Sequence, residues 1–262
     1  MGSATTQALA ASAAALSAEA GITIDTAAEL FGAARLIGET SALGGALADS
    51  AAPAEARAGV VAAVFATASA PTKAVLSRAV SERWSSAADL VDGIEDLAIR
   101  AAAIAESGAD IEGELFSFSR VVADNPELEL ALGSRLGDDA AKGALVERLL
   151  GGKANAATTL IVASLVRHPR ERRVRQLLSR ATRIVSSQHE RIVATVHSAS
   201  PLTEAQRSRL LGTLQSRYGS KVSLNEVLDP AVVGGLRIQV ADDVIDGSIS
   251  ARLADLRQKL AG

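Results

Sequence analysis

The chain has 262 residues, a net charge of −3 and no cysteine. Disulfides and thiolate metal sites are excluded, and the absence of cysteine fits a reducing compartment. Nearly half of the residues are apolar but only six are aromatic (Phe31, Phe65, Trp84, Phe116, Phe118 and Tyr218), so the core must be built from Ala, Leu, Val and Ile, a composition that suits closely packed helices.

The N-terminus, "MGSATTQALAASAAALSAEAG", is Ala-rich and lacks a basic lead, so it does not read as a secretion signal. The apolar run from Gly59 to Ala70 is too short to span a bilayer. Helices are expected at Thr26 to Glu39 and at Pro71 to Arg83, with another opening after Pro53, because Pro is tolerated in the first turn. A similar series then begins again. "ELFGAARLIGETSALGGAL", from Glu29, aligns without gaps with "ELFSFSRVVADNPELELAL", from Glu114. The offset is 85 residues. It matches Glu29-Leu30-Phe31 to Glu114-Leu115-Phe116, Arg35 to Arg120, Leu47 to Leu132, Arg57 to Lys142 and Val61 to Val146. At the same offset Val75-Leu76 meets Leu160-Ile161. Helices are expected at Glu112 to Ala123, after Asp138, and at Asn155 to Arg167. His168-Pro169 ends the last of these, since Pro cannot continue a helix and restricts the residue before it. The period is long for a solenoid, and two copies of a small helical bundle fit it, joined near Glu106-Ser107-Gly108.

Arg167 to Arg191 holds eight arginines against two glutamates. Val174, Leu177, Leu178, Ala181, Ile184 and Val185 form one helical stripe there, with Arg173, Arg175, Arg180 and Arg183 off it. The Arg-bearing side reads as a solvated or partner-facing surface. A nucleic-acid role would need stacking aromatics, and none lies near in sequence.

Beyond residue 190 the pattern changes. Ile192, Ala194 and Val196 alternate with Val193, Thr195 and His197, as in a strand. A helix follows from Thr203, which has capping-box spacing to Gln206, and it ends at Gly219, a left-handed cap. Val222 and Leu224 begin a second strand. Asp229-Pro230 bends the chain, and Gly234-Gly235 permits a bulge or a close backbone approach. Leu236, Ile238 and Val240 point to one side of a third strand, Ala241-Asp242-Asp243 turns back into Val244-Ile245, and Asp246-Gly247 is a further tight turn. Ile249, Leu253, Leu256 and Leu260 are spaced for a last helix. The fold class is therefore mainly α with a small α/β C-terminal domain: residues 1–107 and 108–190 as duplicated bundles, residues 191–262 as a sheet-plus-helix module.

Motifs for catalysis fail. Gly152-Lys153 is followed by Ala154, and Glu147 stands where a phosphate loop needs its first Gly. His189-Glu190 begins like a zinc-protease motif, but Val193 replaces the second His. His168, His189 and His197 share no ligand spacing, and no Gly-x-Ser-x-Gly elbow occurs. No catalytic residue, metal site or cofactor is expected.

The tail, "VSLNEVLDPAVVGGLRIQVADDVIDGSISARLADLRQKL", resembles the C-terminal signature of the delta subunit of rotary F-type ATP synthase, whose mitochondrial relative is the oligomycin-sensitivity-conferring protein. Asp229, Pro230, Gly234, Gly235, Asp246, Gly247 and Ser248 carry the likeness, with Leu236, Ile238, Val240, Leu253 and Leu256 as candidate core of the module. "VATVHSASPLTEAQ" is similar to the family's entry to the same domain, so the resemblance covers roughly Glu112 to Gly262. The chain departs from the pattern in the Ala241-Asp242-Asp243 turn, where the family has a Gly-led one. It also carries two bundles rather than one, as enlarged actinobacterial forms do, some fused to a b-type stalk subunit whose membrane helix this chain lacks. The resemblance implies a non-catalytic stator subunit. The bundles would hold N-terminal segments of the alpha subunits, with the first bundle as the main contact. The tail would hold the C-termini of the b-subunit stalk, at the cytoplasmic face of the plasma membrane. The resemblance implies neither nucleic-acid binding nor membrane insertion. The alternative is a generic helical adaptor or nucleic-acid-binding scaffold, which accounts for the repeat and the arginines but not for the tail.

Overall fold

The computed structural model describes residues 2–134, 137–170, 172–219, 221–232, 234–240 and 243–249. The chain divides into two compact units, Met1–Val185 and Ser186–Gly262.

The first unit is helical. In chain order it contains α1 (Ser3–Ala18), α2 (Ile24–Glu39), α3 (Ser41–Ala48), α4 (Ala54–Val64), α5 (Ala70–Ser81), α6 (Ala87–Ala105), α7 (Ile111–Asp124), α8 (Pro126–Gly133), α9 (Asp139–Leu150), α10 (Ala156–Arg167) and α11 (Val174–Gln188). One continuous core runs through it, from Ala8 and Leu16 to Ile184 and Val185. α6 is its centre. It packs against α1, α2, α3 and α5 on the N-terminal side and against α10 beyond. A sequence with so few aromatics can bury a helix this fully because Ala98, Ala101, Ala102 and Ala103 allow neighbours to approach closely.

Helices at the 85-residue offset are alike in length and in the positions they bury. α3 and α8 each have eight residues, at an offset of 85. Leu47 and Leu132 are both fully buried, as are Val61 and Val146. The register then shifts by one, because α9 has twelve residues where α4 has eleven. Beyond that point the match is Val75 to Ile161, Leu76 to Val162 and Val80 to Val166, all buried. The gap-free pairing of Val75-Leu76 with Leu160-Ile161 is thus corrected by the extra helical residue. Helix starts are specified locally. Ser69 caps α5, Ser86 caps α6, and Asp110, Asp138 and Asn155 cap α7, α9 and α10, each accepting a backbone N–H of the first turn.

The second unit contains the end of α11, then β1 (Arg191–Ser198), α12 (Glu204–Tyr218), β2 (Lys221–Leu228), β3 (Leu236–Val240) and β4 (Asp243–Asp246). The sheet order is β2-β1-β3-β4, with β1 parallel to β2 and antiparallel to β3. α12 is the crossover that a parallel pair requires. It starts in the expected Thr203–Gln206 capping box and ends at Gly219 in the left-handed conformation. Leu214 of α12 packs on Ala194, Val196, Val222, Ile238 and Val240. The fold class is therefore mostly helical with a small mixed sheet plus helix, as expected. Leu253, Leu256 and Leu260 lie outside the described residues.

Candidate functional site

The tail signature is built at one end of the small sheet. Asp229 leaves β2 with its amide donating to the Ser198 carbonyl at 2.8 Å. Its carboxylate accepts the Ala231 N–H at 2.9 Å, closing a turn over Pro230. His197 Nδ1 lies 3.7 Å from the same carboxyl group. The chain then passes Gly234 and Gly235, both with positive φ (63° and 82°). Across from them Gly247 donates its N–H to the Leu236 carbonyl at 2.9 Å, and Ile249 donates to the Gly234 carbonyl at 3.0 Å. The two segments come so close that a Cβ on Gly235 would stand 2.4 Å from the Gly247 carbonyl oxygen. The expected close backbone approach is this contact.

Asp246 holds the opposite turn, accepting the Ser248 N–H at 3.0 Å. The Ser248 hydroxyl and amide, with a smaller contribution from Arg237, hold its carboxyl below the usual range. Ser248 itself is buried. The structure therefore brings Asp229, Pro230, Gly234, Gly235, Asp246, Gly247 and Ser248 together around the start of β3. Ile238 and Val240 are buried beneath α12, and Leu236 is half-buried at the edge of that cluster. Leu228 and Leu236 both lie opposite Ser198 at this end of the sheet. Leu228 and Ile249 are 55% and 51% exposed, so the rim of the patch is apolar and open.

The helical unit carries charge where the sequence suggested solvent. Asp92, Glu95 and Asp96 project from α6 into the Arg-rich segment. Glu95 accepts from Arg170 at 2.6 Å, from Arg180 at 2.5 Å and from Arg172 at 3.2 Å. Arg170 and Arg172 also reach Asp92, and Arg100 reaches Asp96 at 2.6 Å. Arg175 pairs with Glu129 on α8. The reading of the α11 arginines as a solvated or partner-facing side is thus corrected for Arg180, whereas Arg175, though paired with Glu129, stays exposed. The apolar stripe from Val174 to Val185 is buried as expected. The carboxylates that meet Arg180 lie on α6, some 85 residues away, and nothing in the local pattern marks that pairing.

Among the described residues no group of three or more His, Asp or Glu is placed to hold a metal ion. Nor, among them, is any helix long and apolar enough to cross a membrane. The helical body is followed by a separate small sheet unit, whose distinctive residues are spent on turns and close backbone contacts. The chain belongs to the ATP synthase delta (OSCP) subunit family, whose pattern matches residues 96–260. It is similar over its whole length to ATP synthase subunit delta of Leifsonia xyli, at 47% identity covering all of both chains. The subunit delta of Streptomyces avermitilis is 39% identical over 91% of this chain and 89% of its own. That of Thermobifida fusca is 38% identical over 89% of each. The chain is accordingly a non-catalytic, peripheral-stalk subunit of ATP synthase.

Proposed function

We propose that the two units hold different partners and so tie the catalytic head to the stalk. Residues 1–185 receive N-terminal segments of the alpha subunits, with the first helical half as the main contact and the second as a spacer with an accessory contact. Residues 186–262 hold the C-termini of the b-subunit stalk through the patch around Gly235 and Gly247, with Leu228 and Ile249 as apolar anchors. The complex lies at the cytoplasmic face of the plasma membrane, and this chain is peripheral to it. The observation that carries the reading is the apolar, well-braced patch on a unit that folds around its own core.

The test is removal of residues 246–262. Losing β-strand pairing and the Gly247 and Ile249 bonds should unfold the small unit while the helical core of residues 1–185 stays intact. Loss of b-subunit binding with helicity largely retained is the expected result. Normal stalk binding by the shortened chain would overturn the assignment.

A further inference from the structure

His168 closes α10 as its C-terminal cap, and Pro169 follows it directly. α10 packs on both α9 and α2, so its end stands at a junction between the two halves of the helical unit. The imidazole Nδ1 lies 3.8 Å from a carboxylate oxygen of Glu39, the last residue of α2. It lies 3.7 Å from a carboxylate oxygen of Asp139, the first residue of α9. The two acids belong to different halves, and the side chain between them is the one type that changes its charge near neutral pH. Two cations complete the cluster: Arg35 on α2, and Lys142 on α9, whose Nζ is 3.0 Å from Asp139. The flanking arginines are committed elsewhere, Arg167 to Glu147 and Arg170 to Asp92 and Glu95. At the corresponding place in the first half, α5 ends at Glu82, which pairs with Arg78 on its own helix.

Burial pushes the imidazole below its ordinary 6.5. Asp139 and Glu39 pull the other way, while Arg35 and Lys142 add to the effect of burial. A proton placed on this mostly covered ring loses hydration that two carboxylates nearly 4 Å away do not restore. A histidine held below its unfolded value lends stability above that value and withdraws it as pH falls through the folded one. His168 also lines an open hollow with Gly38 and Ser164, which leaves the ring room to turn toward water.

We infer that His168 is an acid-sensitive latch: as the neutral imidazole it fills the junction of α2, α9 and α10, and as the imidazolium it turns toward water and loosens the first half from the second there. Acid then softens the helical unit at one place rather than throughout. The inference stands on this junction alone and holds whichever partners the two units bind.

Of the three histidines only His168 lies in residues 1–185, the unit that also holds Trp84. Urea unfolding of the full chain, followed by Trp84 emission, should show a midpoint that falls between about pH 7.5 and about pH 5.5, and His168→Gln should remove about half of that fall or more. A fall of equal size in the variant, or a midpoint that stays flat or rises in the unmodified chain, would overturn the latch. Hydrogen exchange locates the effect: acid should speed exchange, relative to the intrinsic rate, at the end of α2 and the start of α9 in the unmodified chain but not in the variant. Uniform acceleration over the whole unit would count against the latch as well. Should His168→Gln fail to fold, NMR of a double variant, His189→Gln with His197→Gln, isolates the His168 ring, which should titrate below 6.5. A value at or above 6.5 would overturn the inference.

Discussion

Glu29 and Glu114 make the same pair of bonds in the two halves of the helical unit. Glu29 accepts the N–H of Ser69, the cap of α5, at 3.0 Å, and also the Thr72 hydroxyl. Glu114 accepts the N–H of Asn155, the cap of α10, at 2.9 Å, and also the Thr158 hydroxyl. In each half a carboxylate near the start of one helix fixes the start of another about forty residues later. Replacing either by Ala should cost about 1–3 kcal/mol, since charge-assisted hydrogen bonds lie in that range. Thermal denaturation of the two single variants would show costs of similar size, and a cost confined to one would break the equivalence.

The same geometry sets a pH dependence at Glu29. Burial alone would raise its carboxyl, but the Ser69 and Thr72 hydroxyls, the Ser69 amide and Lys73 outweigh it and hold it low. A carboxyl with a folded-state pKa below its unfolded value contributes stability above the unfolded value, 4.5, and loses it as pH falls through the folded one. Denaturant midpoints should therefore fall from about pH 5 downward. Glu29→Gln should flatten that fall, and an unchanged slope would show that other carboxyls govern it.

Gly93 is held to glycine by Trp84. A Cβ on Gly93 would lie 2.1 Å from the indole ring, which is buried and donates its N–H to the Ala79 carbonyl at 2.7 Å. Gly93→Ala should cost about 1–3 kcal/mol or more, as overpacking does. Trp84 is the sole tryptophan, so its emission reports the outcome directly. A red shift in the folded state is expected, and an unchanged spectrum with unchanged stability would refute the contact.

Glu95 concentrates the charge network. Its side chain is 8% exposed and three guanidinium groups converge on it. Glu95→Ala leaves those cations facing one another without their shared partner. Breaking such a buried set by removing one member costs about 3–5 kcal/mol. The half-buried Asp89→Ala, which loses one bond from the Ser86 hydroxyl, should cost less, and comparable losses for the two would show that Glu95 is not the hub.

In the small unit the sensitive position is Gly235. Its φ of 82° and its contact with Gly247 both forbid a side chain. Gly235→Ala should abolish b-subunit binding and lower the stability of residues 186–262, while the helical unit melts as before. Two-probe unfolding, with Trp84 for one unit and Tyr218 for the other, separates the effects. Intact stalk binding would show that the patch tolerates the change.

Much of this was legible in the sequence because the signals were local or repeated. The Thr203–Gln206 spacing, Gly219, the Gly234-Gly235 pair and the stripe from Val174 to Val185 each act through near neighbours, and each lies as read. The 85-residue register exposed Glu114 as the counterpart of Glu29, although it missed the extra residue in α9 that moves Ile161 opposite Val75. The partners of the α11 arginines were not legible. Arg180 reaches Glu95 only because α6 runs alongside, and a charge on a helix is silent about what tertiary packing brings to it.

The central helix α6 has a mechanical meaning. Its residues pack on α1, α2, α3 and α5, and the same helix also meets α10 and, through Glu95, the arginine of α11. A force entering the first half of the helical unit thus reaches the second along an unbroken ladder of main-chain hydrogen bonds, with no sliding seam to yield between them. Severing the chain after Ser107 would part α6 from the helices that follow it, and neither piece would keep the stiffness of the whole.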